Sequence, residues 1–228
     1  MSLVIDRPEP LSIDVELDLE TLLDDPNALP RLKLLRASAR LIADRGLDVT
    51  MDDIAEAAGI NRRTLFRQVE SRDALVADAL SSSMDWYQTQ IERAAPSDQP
   101  LEEWITALAL QLVNIHRAAG LGYWQLAASR DEDLSPELAA VNQRRRSDRR
   151  ANTPVTARSI WKRAGGTGQC PRVVLDAVAL SLSSFATRSM VEDFGRNVRP
   201  FASSVGTLLA TLVESEVNAQ SRRSTSKR

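Results

Sequence analysis

Apolar residues recur three and four positions apart through most of the chain, and no stretch keeps the period of two that a strand requires for long. The pattern predicts helix after helix. Leu34, Leu35, Leu41 and Ile42, with small Ala37, Ser38 and Ala39 among them, follow helical spacing over 30–45. Pro30 suits a first turn, where its missing N–H costs nothing, and Gly46 suits a left-handed stop. Thr50 is a good N-cap, and Asp53 places a carboxylate near the positive end of a short helix that runs to about Ala58. Gly59 interrupts it. Asn61 caps a third helix through about Val69, and a long helix restarts near Ser71 through Asp73, Leu75, Ala79 and Ile91. Beyond Pro100, Leu101, Trp104, Ile105, Leu108, Leu112 and Ile115 make a broad apolar face. A short helix is expected over 121–129, and Ser135-Pro136-Glu137 starts another. After the loop Gly165-Gly166-Thr167-Gly168, two long apolar helices are expected, at roughly 171–193 and 198–217, parted near Gly195. The fold class is therefore all-α. Residues 1–29 have a proline-bearing, acidic composition that favours disorder, although Val15 to Leu23 can form a short amphipathic helix.

Residues 50–72 have the outline of a helix-turn-helix: two short helices across a glycine turn. Ala55 is small where the helices must cross, and Gly59 accepts a positive φ. Ile54, Ala58, Ile60, Leu65 and Val69 supply a small core. At about 100° per residue, Arg62, Arg63, Phe66 and Arg67 share an arc of roughly 140°, with Leu65 and Val69 on the other side. A basic outer face over an apolar inner face suits the major groove, where arginine pairs bidentately with guanine. The same face also fits an ordinary surface helix with solvated arginines.

Charge changes this picture only when it is divided. The 228 residues carry 29 Lys+Arg and 31 Asp+Glu, a net −2. Residues 1–30 hold one cation and eight anions, 31–75 nine cations and seven anions, and 219–228 four cations and no anion. The small total thus does not argue against nucleic-acid binding; what counts is whether the positives share a face. One Cys and one His exclude an intramolecular disulfide, a cysteine zinc site and a His-rich metal centre. No apolar run reaches 18 residues, and the acidic start lacks the pattern of a secretory signal, so a soluble, cytoplasmic protein without membrane contact is expected. There is no Gly-x-Ser-x-Gly, and the glycine loop at 165–168 lacks the Lys-[Ser/Thr] ending of a phosphate loop. Neither an enzyme nor a cofactor is expected.

Residues 31–75 resemble the DNA-binding domain of TetR-family transcriptional regulators. The resemblance runs through Arg31-x-x-Leu34-Leu35-x-Ala37 and Leu41-Ile42-Ala43-x-x-Gly46. It continues through Thr50-Met51-x-x-Ile54-Ala55-x-x-Ala58-Gly59-Ile60 and Thr64-Leu65-Phe66-x-x-Val69-x-Ser71-Arg72-Asp73-x-Leu75. It implies that Thr50 starts the helix meeting the DNA backbone, that Asn61, Arg62, Arg63, Thr64, Phe66, Arg67 and Gln68 belong to the recognition helix, and that Arg31 and Arg72 stand near backbone phosphates. The chain departs from the family pattern in three places. Phe66 replaces a usual Tyr, Gln68 a usual His or Tyr, and Val69 a usual Phe.

The resemblance also implies that the rest of the chain is an all-helical effector-binding and dimerisation domain, and that the protein is a homodimeric repressor. Four segments are expected: an acidic extension at 1–27, the helix-turn-helix domain at 28–75, the effector and dimerisation domain at 76–220, and a basic tail at 221–228. Leu175, Val178, Leu182 and Phe185 form one stripe for a dimer interface, and Val205, Leu208, Leu209 and Leu212 another. The alternative is that both stripes bury within one subunit. Trp104, Leu108, Leu112, His116, Trp124 and Phe185 are candidates for a pocket taking a small apolar or amphipathic effector, or for simple core packing. His116 sits near a helix end that favours positive charge. The cluster Arg144, Arg145, Arg146, Arg149 and Arg150 fits an anionic effector, the acidic arm or solvent. Cys170 reads as a passive thiol. The expected partners are a double-stranded operator, a second copy and the effector; the competing class is an all-α protein-interaction module.

Overall fold

In a computed structural model, residues 28–92 and 99–225 are described, with side chains throughout except at 28, 29, 86–92, 224 and 225. The amphipathic stretch at 15–23, the side chain of Ile91 and the last three residues lie outside the described residues. Among the described residues there is no strand. The order is α1 (Ala28–Arg45), α2 (Met51–Ala58), α3 (Arg62–Gln68), α4 (Arg72–Glu92), α5 (Leu101–Ala128), a 3-10 turn (Asp131–Asp133), α6 (Pro136–Arg163), α7 (Arg172–Ser181), α8 (Ser184–Thr187), a π turn (Arg188–Asp193) and α9 (Val198–Thr225).

Two compact units emerge. The first takes the chain up to Gln88 together with Ala118–Gln143. Its core joins Leu34 and Ile42 of α1, Ile54 of α2, Leu65 of α3, Leu75, Val76 and Leu80 of α4, Leu126 of α5 and Leu138 of α6. Gly120 breaks the helical path of α5, with φ 66° and ψ −160°. Glycine is required here for space as well: a Cβ at 120 would collide with the backbone of Ala43, and one at 122 with Ile42. Backbone thus lies directly on α1, and Gln125 follows by accepting the N–H of Leu47 at 2.6 Å, just past the end of that helix.

The second unit is Thr89–Arg117 with Arg144–Arg228. Ile105, Ala109 and Val113 of α5 pack with Ile160 and Trp161 of α6, Val174 and Val178 of α7, and Phe201, Val205, Leu209 and Val213 of α9. The expected helix over 171–193 is not continuous. Ser183 adopts an extended conformation, its hydroxyl donating to the Leu180 carbonyl at 2.8 Å and accepting the Ala186 N–H at 3.0 Å. A serine that can bond its neighbours' backbone competes with the helix ladder and here starts a new helix instead. The final helix runs past 217, to Thr225. Among the described residues no single helix is long and apolar enough to cross a membrane.

Candidate nucleic-acid interface

Local bonding frames the helix-turn-helix. Thr50 and Asp53 form a reciprocal capping box: the Thr50 hydroxyl accepts the Asp53 N–H at 3.1 Å, and the Asp53 carboxylate accepts the Thr50 N–H at 2.9 Å. The Thr50 hydroxyl also donates to that carboxylate at 2.6 Å, and Arg45 reaches it at 3.0 Å. The hydrogen bond from Thr50, then the Arg45 charge, hold the Asp53 carboxyl below the usual aspartate range. Gly59 ends α2 in the left-handed conformation, φ 65°. Asn61 caps α3 by accepting the Arg63 N–H at 2.8 Å. Leu65 is fully buried, while Ala58, Ile60 and Val69 are partly buried around it.

The outer side of α3 divides its arginines. Arg62 bonds Asp52 of α2 at 2.8 Å, and its guanidinium lies 5.4 Å above the centre of the Phe66 ring. Arg63 and Arg67 are exposed, and their guanidinium groups have no bonding partner among the described residues. Gln68 and Phe66 are exposed as well, and Thr64 is half-buried. Arg31 pairs with Asp78 at 2.8 Å. Arg72 is engaged at both ends: its Nε donates to the Val49 carbonyl at 2.8 Å, and Nη1 meets Asp73 at 2.5 Å. Partial burial alone would raise the Asp73 pKa, but hydrogen bonds from Arg72 and Ser135 outweigh it and lower the value. Arg72 thereby ties the segment before α2 to the start of α4. The Asp52–Arg62 bond, ten residues apart, had no signature in the hydrophobic pattern, because exposed charges on two short helices carry no periodic signal.

Comparison with known families bears on the helix-turn-helix segment. Residues 34–79 match the model of the family described as bacterial regulatory proteins, tetR family. Its N-terminal segment is thus similar to the DNA-binding domain of TetR-family regulators. A curated relative, the HTH-type transcriptional repressor KstR2 of Mycolicibacterium smegmatis, is 33% identical over 127 residues. That span covers 53% of this chain and 60% of the relative.

Outside the TetR-type segment the predicted residues scatter. Trp124 belongs to the first unit, whereas Trp104, Leu108, Leu112, His116 and Phe185 belong to the second. Trp104 packs at the edge of the second core with Arg163 5.1 Å above its ring. His116 Nδ1 lies 3.0 Å from the Thr187 hydroxyl. Burial, then the charge of Arg149, pushes the His116 pKa down to about 4, so it is neutral at pH 7 rather than the helix-end cation the sequence suggests. Phe185 is 47% exposed. Of the two apolar stripes, Val178, Val205 and Leu209 are buried in the chain's own core, because positions 205, 209 and 213 share the inward face of α9. Leu208 is 58% exposed; Leu175, Leu182 and Leu212 are half-buried. The arginine cluster is not a uniform solvated face. Arg145 is buried, Arg149 donates to the Ala179 carbonyl at 2.6 Å, and Arg144 faces Asp148 at 3.6 Å. Burial raises the Cys170 thiol, despite the nearby Arg158 charge, which makes it a weak nucleophile.

Proposed function

We propose that the chain is a cytoplasmic transcriptional repressor that acts as a homodimer, reads a palindromic operator through α3 and releases it when a small apolar or amphipathic effector binds the second unit. The observation that carries this reading is the division among the arginines. Arg62 is held by Asp52 and Phe66, while Arg63 and Arg67 stand exposed on a capped helix, their guanidinium groups with no partner among the described residues. Guanidinium groups so presented on a capped helix are suited to base edges, where each bidentate pair discriminates by about 1–3 kcal/mol. Arg31, Thr50 and Arg72 would contribute to backbone positioning, with part of their hydrogen-bonding capacity already used within the domain.

Two copies are favoured by the apolar side chains that one chain leaves uncovered. Leu180, Phe185 and Leu208 are large and exposed on α7, α8 and α9. Burying them against a symmetric partner would remove them from water. Two-fold symmetry then requires half-sites about 34–36 Å apart, or a multiple of that spacing. An effector acts by binding more tightly to the arrangement that does not fit both grooves. The test is selection from a random duplex library by the purified full chain. Enrichment of a palindrome supports the reading. If no sequence is enriched, the helix-turn-helix no longer reads DNA, and the chain is better viewed as an interaction module.

A further inference from the structure

A recess of about 340 Å³ opens in the first unit where the first turns of α1, the end of α3 and α4 meet. Leu34, Leu35, Val69 and Leu75 give it apolar walls, and the exposed Arg31 and Arg67 stand beside them. Arg31 is already paired with Asp78, whereas the Arg67 guanidinium has no partner among the described residues. The volume lies at the lower end of the roughly 300–1,000 Å³ typical of ligand sites. Gln68 and Asp78 complete the lining, and because Asp78 already offsets Arg31, apolar side chains with a carboxylate on the Arg67 side fit the recess.

The chain itself contains such a segment. Residues 1–27 hold eight carboxylates and one arginine. Within them, Glu16, Asp18 and Glu20 alternate with Val15, Leu17 and Leu19, and Leu22 and Leu23 follow. Only four residues separate Leu23 from Ala28, where α1 begins, and Arg31 is three residues further on. Extended, the five steps from Leu23 to Ala28 span up to about 17 Å. Short tethering gives such a segment a local concentration on the order of millimolar at the recess.

We propose that residues 15–23 dock in this recess, seating leucine side chains against Leu35 and Val69 and a carboxylate on Arg67, so that the acidic arm masks a DNA-reading arginine. The masking rests on the proposed DNA binding; the docking does not. The arm would be an internal competitor for phosphate: DNA must displace it, and each carboxylate on the basic face opposes the polyanion.

Two measurements on the full-length chain separate these parts. In the first, a photocrosslinking amino acid replaces Leu19, and the cross-links are mapped. Docking predicts intrachain links to residues 31–35 and 67–75, lost when Val69→Phe fills the recess. Links scattered over the chain, no intrachain links, or links only to a second copy overturn it. In the second, Leu17→Ser/Leu19→Ser is compared with the unaltered chain for affinity to a random-sequence duplex at low salt. Masking predicts about tenfold tighter binding by the variant. Equal affinities overturn the masking. If neither protein binds any duplex, the proposed function fails and masking fails with it, while the cross-links still decide whether the arm docks.

Discussion

Both units contain local and distant polar bonds, with Arg72 reaching Val49 and Gln125 reaching Leu47 in the first and Ser183 capping Ala186 in the second, but the helix-turn-helix and the second core differ in which kind sets their shape. In the helix-turn-helix, the bonds that start each helix are local. Thr50 closes on Asp53, Asn61 on Arg63 and Ser71 on Ala74, each within three residues. In the second unit, bonds join distant parts of the chain: His116 to Thr187, Arg149 to the Ala179 carbonyl, and Glu102 to Thr207. Local bonding lets a short segment keep its shape with little help from the rest of the fold. Distant bonding makes shape a property of the assembled core. The first kind suits a surface that must present the same side chains repeatedly; the second suits a body whose packing can respond to what binds it.

The largest loss is expected at the second core. Trp161 is 1% exposed, with Gly166 so close to its ring that any side chain there would collide. Trp161→Ala is expected to cost about 3–5 kcal/mol, measured by denaturant unfolding. A loss below 1 kcal/mol would mean that the distant packing carries little stability.

Acidification probes the same unit. His116 has a folded pKa of about 4 against an ordinary 6.5, so the unfolded chain binds the extra proton first. Stability should therefore be full above about pH 6.5 and fall as the pH drops towards 4. His116→Gln should flatten that slope. The lowered Asp53 and Asp73 act in a separate window: their stabilisation is present above 3.8 and is lost only as the pH falls below it towards their folded values. An unchanged slope in the His116 variant would remove the histidine from the account.

Smaller effects belong to the local bonds. Thr50→Ala opens the capping box and is expected to cost about 1 kcal/mol, read as a shift in the unfolding midpoint, with Thr50→Ser largely retaining the stability. Arg62→Ala removes an exposed ion pair and should cost no more than about 1 kcal/mol. A much larger loss from either would show that these caps support the distant core as well.

The same contrast explains what the sequence made legible. Thr50, Gly59 and Asn61 announce themselves because a cap or a left-handed turn restricts residue type at one position, whatever lies elsewhere. The division of labour between Arg62 and Arg63 was hidden, since it depends on how Asp52 approaches from another helix. The break after Ser181 was also missed: Leu180 and Leu182 keep an apolar pattern through it, and only the Ser183 hydroxyl reveals the new start. Helical spacing identified α9 as amphipathic but did not show that Val205 and Leu209 face the chain's own core while Leu208 faces outward. Periodicity gives a stripe; the packing decides which neighbour covers it.

Whether α3 reads bases with arginines whose guanidinium groups have no partner among the described residues is tested most directly with Arg63. Once a duplex has been selected, the affinities of Arg63→Ala for that duplex and for a scrambled one are measured at the same salt concentration. A base-reading Arg63 gives a loss of about 1–3 kcal/mol on the selected sequence and a much smaller loss on the scrambled one. Equal losses on both would make Arg63 a phosphate contact and contradict the assignment.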